Sequence, residues 1–443
     1  MHGAHVVDLK TESSPLVDQK AGPPRRLFSC GLAIFGPGVL CALADTDAAC
    51  LLVASDSGAR YGYSALILLQ IMLIVPLFLA QELTVRLGVH TGLGQGACIR
   101  RHYGPITAWV SFALLAVTCV LAIVSELSGI AGVADVMELP PTAGAIMATA
   151  VLLLIVVLPY RLVEAVGTML GLFELSFVVA WAMSRPSASE FISGLGTVYA
   201  EPEFWSLAAA NVGAVVMPWM IFFQQSAIAA RGLRAGEAEA TERSGTLIGS
   251  MTTQLIMVAT MASMAATRAL TGVRAVEDAR DMSMALTAAL GDAPGKMVLA
   301  LGLTGGSTCA TIVVALAASW ALCDAMGLDT RSANPMDKLP WEAPSFYACY
   351  VLVVLIGLAV QLGGVTQESI SIAATVANAL LMSSTLAFLW LLACGPAMPE
   401  GVRVTGMHKW ACAAIFAFCS CFAAVAVGLT FVPSAGMSAM PMT

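Results

Sequence analysis

Two short interruptions in apolar helices carry the residue types that could bind a metal ion. Residues 45–50 read Asp-Thr-Asp-Ala-Ala-Cys, and residues 214–218 read Ala-Val-Val-Met-Pro. A carboxylate inside hydrocarbon is costly, so acids in apolar segments are rare and usually mark an ion or substrate path. Paired helix breaks in the two halves of a chain are typical of transporter binding sites. The oxygen and sulfur groups at both breaks therefore predict a metal site.

Asp47 is the strongest candidate ligand of the first break. Its anionic oxygen would neutralise half the charge of a divalent ion, although a carboxylate there could instead cap the following half-helix and bind nothing. Asp45 lies two residues earlier, and residues two apart on a helical turn do not share a face. Asp45 could be a metal ligand, but the spacing favours an outer role, either on metal-bound water or as a vestibule charge that attracts cations.

The sulfur groups bear on which metal is bound. Thioethers and thiolates favour softer transition metals, whereas Mg²⁺ prefers oxygen and keeps its waters. A carboxylate opposite Met217 and Cys50 favours Fe²⁺ or Mn²⁺ over Mg²⁺ and Ca²⁺. If Cys50 is instead a protonated, space-filling residue, the site is roomier and could admit partly hydrated Mg²⁺. The ion would be the substrate, and no cofactor is predicted.

The composition indicates that these breaks lie in a membrane protein. Hydrophobic residues form 58% and charged residues 11% of the chain, and the mean hydropathy is +0.85. A soluble domain has about 25% charged residues, so the expected surroundings are a lipid bilayer. No basic patch with interleaved aromatic residues is present, which argues against a nucleic-acid partner. The sequence lacks the cluster of histidines or nucleophiles that would predict an enzyme. We expect a monomer.

Apolar stretches of about 20 residues predict about 11 membrane-spanning helices. The candidate spans are residues 27–58, 63–86, 106–133, 143–158, 163–183, 204–230, 247–267, 297–326, 346–362, 370–393 and 410–432. With the N-terminus in the cytosol, 15 of the 21 Lys and Arg residues fall on the cytosolic side. The positive-inside rule favours this orientation, which leaves the C-terminus outside and places the protein in the cytoplasmic membrane.

The two broken spans are the first and the sixth, which predicts two five-helix halves of inverted topology and one additional helix. The alternative for the second break is an ordinary proline kink. Pro218 lacks an N–H, and this would free backbone carbonyls around Ala214. The expected organisation is a cytosolic tail (1–26), a first repeat (27–183), an extracellular loop (184–203), a second repeat (204–395), and an eleventh helix with the C-terminal tail (396–443).

The segments around both breaks also resemble a known family. Residues 36–63 are similar, without a gap, to the first helix of the NRAMP-type divalent metal transporters, and residues 214–218 are similar to their sixth-helix motif. Further similarity at residues 81–92 and 125–129 extends the resemblance over most of residues 27–395. The resemblance implies an all-α membrane protein with a LeuT-like inverted-repeat fold and a divalent metal as substrate.

The resemblance also implies roles for individual residues. Asp47 matches the metal-binding aspartate of the family, Met217 matches its thioether ligand, and Ala214 lies where the family supplies a backbone carbonyl. Cys50 takes the place of a ligand asparagine. The family has a polar side chain near the metal in its tenth helix, and Thr375 and Asn378 lie in that region here.

Other positions depart from the family. Trp219 falls where the family has the first histidine of its sixth helix, and Gln224 and Gln225 fall near the second. Glu126 matches an acid of the third helix, but Ile123 replaces the usual aspartate partner. All five histidines lie outside the predicted spans, and a proton relay needs titratable groups within reach of one another. The resemblance is therefore to the NRAMP-related branch that departs from proton coupling and is associated with magnesium or iron.

Two further features, a pair of acids and a pair of glycines, are not expected to bind metal. Glu126 and Glu174 are the deepest acids of the other spans, and we expect each to make polar contacts or line a water path rather than bind metal. Gly167 and Gly171 have the spacing of a helix-packing motif, which we expect to act within the monomer.

The favoured interpretation is an importer of Fe²⁺ or Mn²⁺ that works by alternating access, with Mg²⁺ as the alternative. Two charges crossing a potential of 100 mV gain roughly 4.6 kcal/mol, so proton coupling is not required. Three other classes of protein fit these residues less well. An organic-substrate symporter of the same fold would bind a carboxylate that Asp45 and Asp47 repel. A membrane enzyme lacks a catalytic cluster, and a structural scaffold would not need two acids at a helix break.

Overall fold

The computed structural model describes residues 36–184, 187–271, 275–328, 334–364 and 367–430, which belong to one compact unit. These residues form 18 α-helices, with no strand among them. The helices are α1 Pro37–Leu43, α2 Ala48–Tyr61, α3 Ala65–Met72, α4 Ile74–Thr91, α5 Gln95–Tyr103, α6 Pro105–Val136, α7 Pro141–Ile155, α8 Tyr160–Gly171, α9 Ser176–Met183, α10 Ala188–Gly194, α11 Pro202–Ala214, α12 Pro218–Arg231, α13 Glu237–Thr271, α14 Ala279–Leu290, α15 Asp292–Met326, α16 Pro344–Leu362, α17 Gln367–Cys394 and α18 Gly406–Thr430. Short 3₁₀ turns cover Leu172–Leu175, Pro335–Asp337 and Glu400–Val402.

Eight helical stretches are long and apolar enough to cross a membrane, and the bent pair α1–α2 makes up to nine. Among the described residues, α7 and the segment Leu381–Cys394 are apolar but shorter. All of these segments coincide with predicted spans, so the all-helical architecture is confirmed. The total of about 11 spans stays a prediction, as do the boundaries of the repeats. The predicted extracellular loop, 184–203, contains α10, and the predicted cytosolic tail lies outside the described residues.

The first break is sharper and shorter than the sequence suggests. Helix α1 ends at Leu43 and α2 begins at Ala48, with a bend of 51° between them. Asp47 has extended backbone and is the N-cap of α2, so Cys50 lies within the first turn of that helix rather than in the break. Aspartate is among the best N-cap residues because its side chain accepts a hydrogen bond from a free first-turn N–H.

The second break covers residues 215–217 and is held by proline chemistry. Helix α11 ends at Ala214, and Pro218 is the first residue of α12, where the missing N–H of proline leaves no hydrogen bond unmade. The two half-helices together form one apolar span of 30 residues, and the bend between them is smaller than the 51° at the first break. The predicted interruption at this position is therefore present as unwound backbone.

Helix α15 lies at the centre of the bundle and packs against α6, α8, α12, α14 and α16. It is buried along most of its length, as expected for a helix that is apolar on all sides. The glycine pair of α8 packs against α1, because a Cβ atom on Gly167 would approach Leu40 to 2.9 Å and one on Gly171 would approach Leu43 to 2.8 Å. These glycines serve packing within the chain, as expected.

Two sequence expectations about acids and histidines need correction. Residues 237–242 fall between the predicted spans 204–230 and 247–267, but they form the first turns of α13, and Glu242 is only 5% exposed. His90 and His408, expected outside the spans, lie in the last turn of α4 and near the start of α18. Amphipathic helix ends often extend past the apolar core, so hydropathy alone misplaces them.

Candidate metal-binding site

Asp47 holds the first turn of α2 from inside the break. Its Oδ1 accepts a hydrogen bond from the backbone N–H of Cys50 at 2.8 Å, and Asp47 is 3% exposed. Asp47 therefore is a helix cap, as the alternative interpretation proposed. Capping does not exclude metal binding, since an ionised carboxylate has two oxygens and about four lone-pair sites.

Glu126 contacts the same helix end from α6. Its Oε2 accepts a hydrogen bond from the backbone N–H of Ala48 at 3.1 Å, and Glu126 is fully buried. Two carboxylates from different helices thus converge on the N–H groups of the first turn of α2. The positive end of a helix dipole favours negative charge at this position. The polar-contact role expected for Glu126 fits this arrangement.

The two broken helices are in contact at Cys50, in the first turn of α2, and Ala214, the last residue of α11. The thiol Sγ of Cys50 donates to the backbone carbonyl oxygen of Ala214 at 3.7 Å. Ala214 ends α11, so its carbonyl is one of those that a helix C-terminus leaves without an intrahelical partner. Two of the predicted ligands, separated by 164 positions in sequence, are therefore in contact.

The second break presents its sulfur in a fixed orientation. The indole Nε1 of Trp219 donates to Met217 Sδ at 3.1 Å, and the backbone N–H of Met217 donates to Met220 Sδ at 3.4 Å. Trp219 is fully buried and Met217 is 5% exposed. The sequence marked Trp219 only as a replacement of a family histidine. The spacing in sequence does not predict this contact, because residues two apart on a helix do not face each other; it forms because Met217 precedes the helix with extended backbone.

Asp45 lies just beyond α1 and is buried, with 3% exposure. Its Oδ1 has no hydrogen-bond partner in the described part of the chain. Burial argues against the role of an exposed charge that attracts cations, and it leaves the two roles next to the metal open.

Thr46 and Glu174 were not in the predicted site, although both are buried beside it. The Thr46 hydroxyl is hydrogen-bonded to Glu174 Oε2 and also lies 2.9 Å from the carbonyl oxygen of Leu43. No sequence signal joins two residues that are 128 positions apart.

The remaining predicted residues lie farther out or are not described. Gln224 bonds Thr84 at 2.6 Å and Thr246 at 3.1 Å, and so ties α12 to α4 and α13. Gln225 donates to the carbonyl oxygen of Leu93 at 3.0 Å. These hydrogen bonds join neighbouring helices and do not involve either break. Asn378 is half-buried and its Oδ1 lacks a partner among the described residues, whereas the side chain of Thr375 lies outside them.

Within the described ranges, no group of three or more His, Cys, Asp or Glu side chains could hold a metal ion. A site at the breaks would therefore need neutral ligands, namely the Ala214 carbonyl and the Met217 thioether, in addition to Asp47 and Cys50. Backbone carbonyls and thioethers are ordinary metal ligands, so a site of this kind does not require a cluster of charged side chains.

The described histidines lie away from both breaks. His90 pairs with Glu239 at 3.5 Å, with both side chains partly buried. His102 lies in α5, outside the membrane-spanning helices, where partial burial and the adjacent Arg101 lower its pKa. His408 is near the start of α18. None of the three has a hydrogen bond or ion pair with a residue of the breaks in the described structure.

Both half-helices beyond the breaks are tied to their surroundings. In α2, Ser57 accepts a hydrogen bond from Asn211 of α11 at 2.9 Å, and Asp56 accepts one from the backbone N–H of Val276 at 2.9 Å. In α1, the backbone N–H of Gly38 donates to Glu242 Oε1 at 2.7 Å. The two half-helices of the first break are thus each anchored to neighbouring elements by polar contacts.

Comparison with known proteins identifies the family of this chain. The model of the Nramp family, described as natural resistance-associated macrophage protein-like, matches residues 38–428. The chain belongs to the Nramp family. A divalent metal cation transporter MntH of Brucella suis is 28% identical over 305 residues, which cover 66% of each chain. One from Staphylococcus haemolyticus is 27% identical over 45% of this chain and 46% of its own length. The chain thus matches between about half and just under two-thirds of the length of these relatives.

Solved structures establish the fold of this Nramp chain. A manganese transporter of Eremococcus coleocola, crystallised with an aromatic bis-isothiourea compound, superposes with a TM-score of 0.70 at 14% identity, covering 92% of this chain and 89% of that one. MhsT in complex with L-phenylalanine superposes with a TM-score of 0.56 at 12% identity, covering 91% and 99%. The expected LeuT-like, all-helical fold is confirmed.

Proposed function

We propose that this protein imports divalent transition-metal ions, Mn²⁺ or Fe²⁺, across the cytoplasmic membrane. The observation that carries the proposal is the contact between Cys50 Sγ and the Ala214 carbonyl oxygen at 3.7 Å. It joins the two helix breaks at the point where Asp47 caps α2. A charged oxygen, a backbone carbonyl and a thiol thereby lie close together, and the Met217 thioether follows Ala214 by three residues.

The metal preference follows from these donors. Asp47 supplies charge attraction to any divalent cation, whereas Met217 supplies a soft sulfur that favours transition metals over Mg²⁺ and Ca²⁺. The printed descriptions of the similar proteins, divalent metal cation transporter and manganese transporter, support the same substrate class. The proposed orientation places the N-terminus in the cytosol, as the distribution of Lys and Arg favours.

We further propose that transport does not require protons. Ile123 and Trp219 are apolar or non-titratable where the resemblance expects an aspartate and a histidine, and the described histidines do not contact the breaks. The membrane potential would supply roughly 2.3 kcal/mol per charge per 100 mV, which suffices to drive a divalent cation inward.

One observation favours Mg²⁺ as a second candidate substrate. The Cys50 thiol donates to Ala214, and a group that donates this hydrogen bond carries its proton. A protonated Cys50 is a weak ligand. The site would then rely on oxygen groups and retain water on the ion, which Mg²⁺ requires.

The test is uptake into proteoliposomes that contain a metal-sensitive dye and a pH-sensitive dye. Mn²⁺, Fe²⁺, Mg²⁺ and Ca²⁺ are compared, with Asp47→Ala as the inactive control. We expect saturable Mn²⁺ and Fe²⁺ uptake with Mg²⁺ excluded and internal pH constant. Mg²⁺ uptake of equal size would favour the second candidate, and internal acidification that follows metal entry would overturn the proton-independent mechanism. Uptake by Asp47→Ala equal to that of the unmodified protein would overturn the site.

A further inference from the structure

Glu174 reaches the first break from a 3₁₀ turn that is remote in sequence. This turn, Leu172–Leu175, connects α8 and α9, and Glu174 is fully buried. Its Oε2 is hydrogen-bonded to the hydroxyl of Thr46, which is also fully buried and lies between Asp45 and Asp47. The bond thus connects an interior acid to the middle of the proposed binding segment.

The Thr46 hydroxyl is shared between two partners. Besides Glu174, it lies 2.9 Å from the carbonyl oxygen of Leu43, the last residue of α1. The terminal carbonyls of a helix need partners from outside the helix. Glu174 and Leu43 are thereby linked through the Thr46 hydroxyl, whose single proton faces both acceptor oxygens, at the point where α1 ends and the backbone enters Asp47.

Helix α15 leaves space for this contact. A Cβ atom on Gly306 would overlap Glu174 Oε1 and approach the carbonyl oxygen of Thr46 to 3.1 Å. Glycine inside a helix is unfavourable compared with alanine, so its occurrence in the buried centre of α15 requires a local reason. The close approach of Glu174 and the Thr46 backbone to α15 supplies that reason.

We propose that Glu174 is a positioning residue that, through Thr46, fixes the backbone of the first break and thereby aims Asp47 at the metal. Glu174 itself does not bind the ion. The inference rests on the proposed function for its effect on metal binding, but its effect on the geometry of the break does not depend on any metal.

The experiment uses two matched pairs of variants in the full-length protein. Glu174→Ala and Thr46→Val remove the hydrogen bond, whereas Glu174→Gln and Thr46→Ser keep a group that can form it. The first readout is the Kd for Mn²⁺ of the purified protein. The second is the rate of iodoacetamide labelling of Cys50 without metal, measured by mass spectrometry of the Cys50 peptide, because Cys50 is buried in the turn that Asp47 caps.

We expect Glu174→Ala and Thr46→Val each to weaken Mn²⁺ binding by about 10- to 100-fold, the effect typical of residues that orient a metal ligand. Labelling of Cys50 should accelerate by about fivefold, as expected for one lost net hydrogen bond. Glu174→Gln and Thr46→Ser should stay close to the unmodified protein in both readouts. The double variant Glu174→Ala/Thr46→Val should be no worse than either single one, because both remove the same contact.

Each departure from these results has a definite meaning. If Glu174→Gln is as impaired as Glu174→Ala, or if the two losses add, the hydrogen bond to Thr46 is not the cause and the inference is wrong. If the unmodified protein binds no Mn²⁺ but Cys50 labelling changes as expected, the positioning role stands and the proposed function fails.

Discussion

The two helix breaks solve the same structural problem with different chemistry. The first contains Asp45 and Asp47, bends the chain by 51°, and is held by hydrogen bonds that Ala48 and Thr46 donate to Glu126 and Glu174. The second contains no charged residue and is held by Pro218, by two thioethers and by the indole of Trp219. One break therefore supplies charge, and the other supplies neutral and soft donors.

Under the proposed function, this division would separate affinity from selectivity. A carboxylate attracts every divalent cation, so the first break cannot by itself distinguish Mn²⁺ from Mg²⁺ or Ca²⁺. A thioether contributes little to hard cations and more to softer ones. If the comparison is correct, changes at the first break should reduce binding of all metals, whereas changes at the second should alter their ranking.

The largest effect is expected for Asp47→Asn. Asparagine caps helices as well as aspartate does, so the hydrogen bond to the Cys50 N–H is retained while the charge is lost. Binding of Mn²⁺ and Mg²⁺, measured by calorimetry, should weaken by at least about 100-fold, the upper end of the effect seen for residues that only support a ligand. The unfolding temperature without metal should not change. Unaltered metal binding would show that Asp47 is a cap and nothing more.

The next effect is expected for Met217→Leu, which keeps the volume of the side chain and removes the sulfur. The ratio of Mn²⁺ to Mg²⁺ affinity should fall by about tenfold because the soft ligand is lost. Met220→Leu is the matched control, since Met220 is in the same turn but its sulfur accepts from the Met217 N–H. The same measurement on both variants decides the matter: equal changes in the ratio would mean that selectivity does not arise from the Met217 sulfur.

The same contrast shows which features of the structure can be predicted from the sequence. Apolar stretches predicted the helical architecture, and acids within apolar helices and a proline in a span are local signals that located both breaks. Glu242 fell outside the predicted spans because hydropathy detects the apolar part of a helix and not its polar first turns. The contacts of Thr46 with Glu174 and of Cys50 with Ala214 join residues 128 and 164 positions apart, and only tertiary packing determines them.

A third prediction tests the contact that joins the two breaks. Cys50→Ala removes the donor to the Ala214 carbonyl, whereas Cys50→Ser keeps a donor of similar size. We expect Cys50→Ala to weaken Mn²⁺ binding by about fivefold, corresponding to the loss of a hydrogen bond of about 1 kcal/mol, and Cys50→Ser to retain most of the affinity. If serine instead lowers Mn²⁺ affinity as much as alanine and leaves Mg²⁺ affinity unchanged, then sulfur at position 50 acts as a soft ligand and selectivity is not confined to the second break.

The smallest effect is expected for Trp219→Phe, which removes the indole donor to Met217 Sδ and keeps an aromatic ring in a fully buried position. Sulfur is a weak acceptor, so the loss should lie near the lower end of hydrogen-bond energies, about 0.5 kcal/mol, or a two- to threefold weaker Mn²⁺ affinity. The maximal uptake rate and the affinity for Mg²⁺ should stay the same, because the indole acts only by orienting the thioether.

Combining Trp219→Phe with Met217→Leu gives the decisive comparison. Once the sulfur is absent, the indole has nothing to orient, and the second substitution should add no further change in Mn²⁺ affinity. An additive loss would mean that Trp219 supports the second break by packing, and that the orientation of its sulfur is set by the backbone alone.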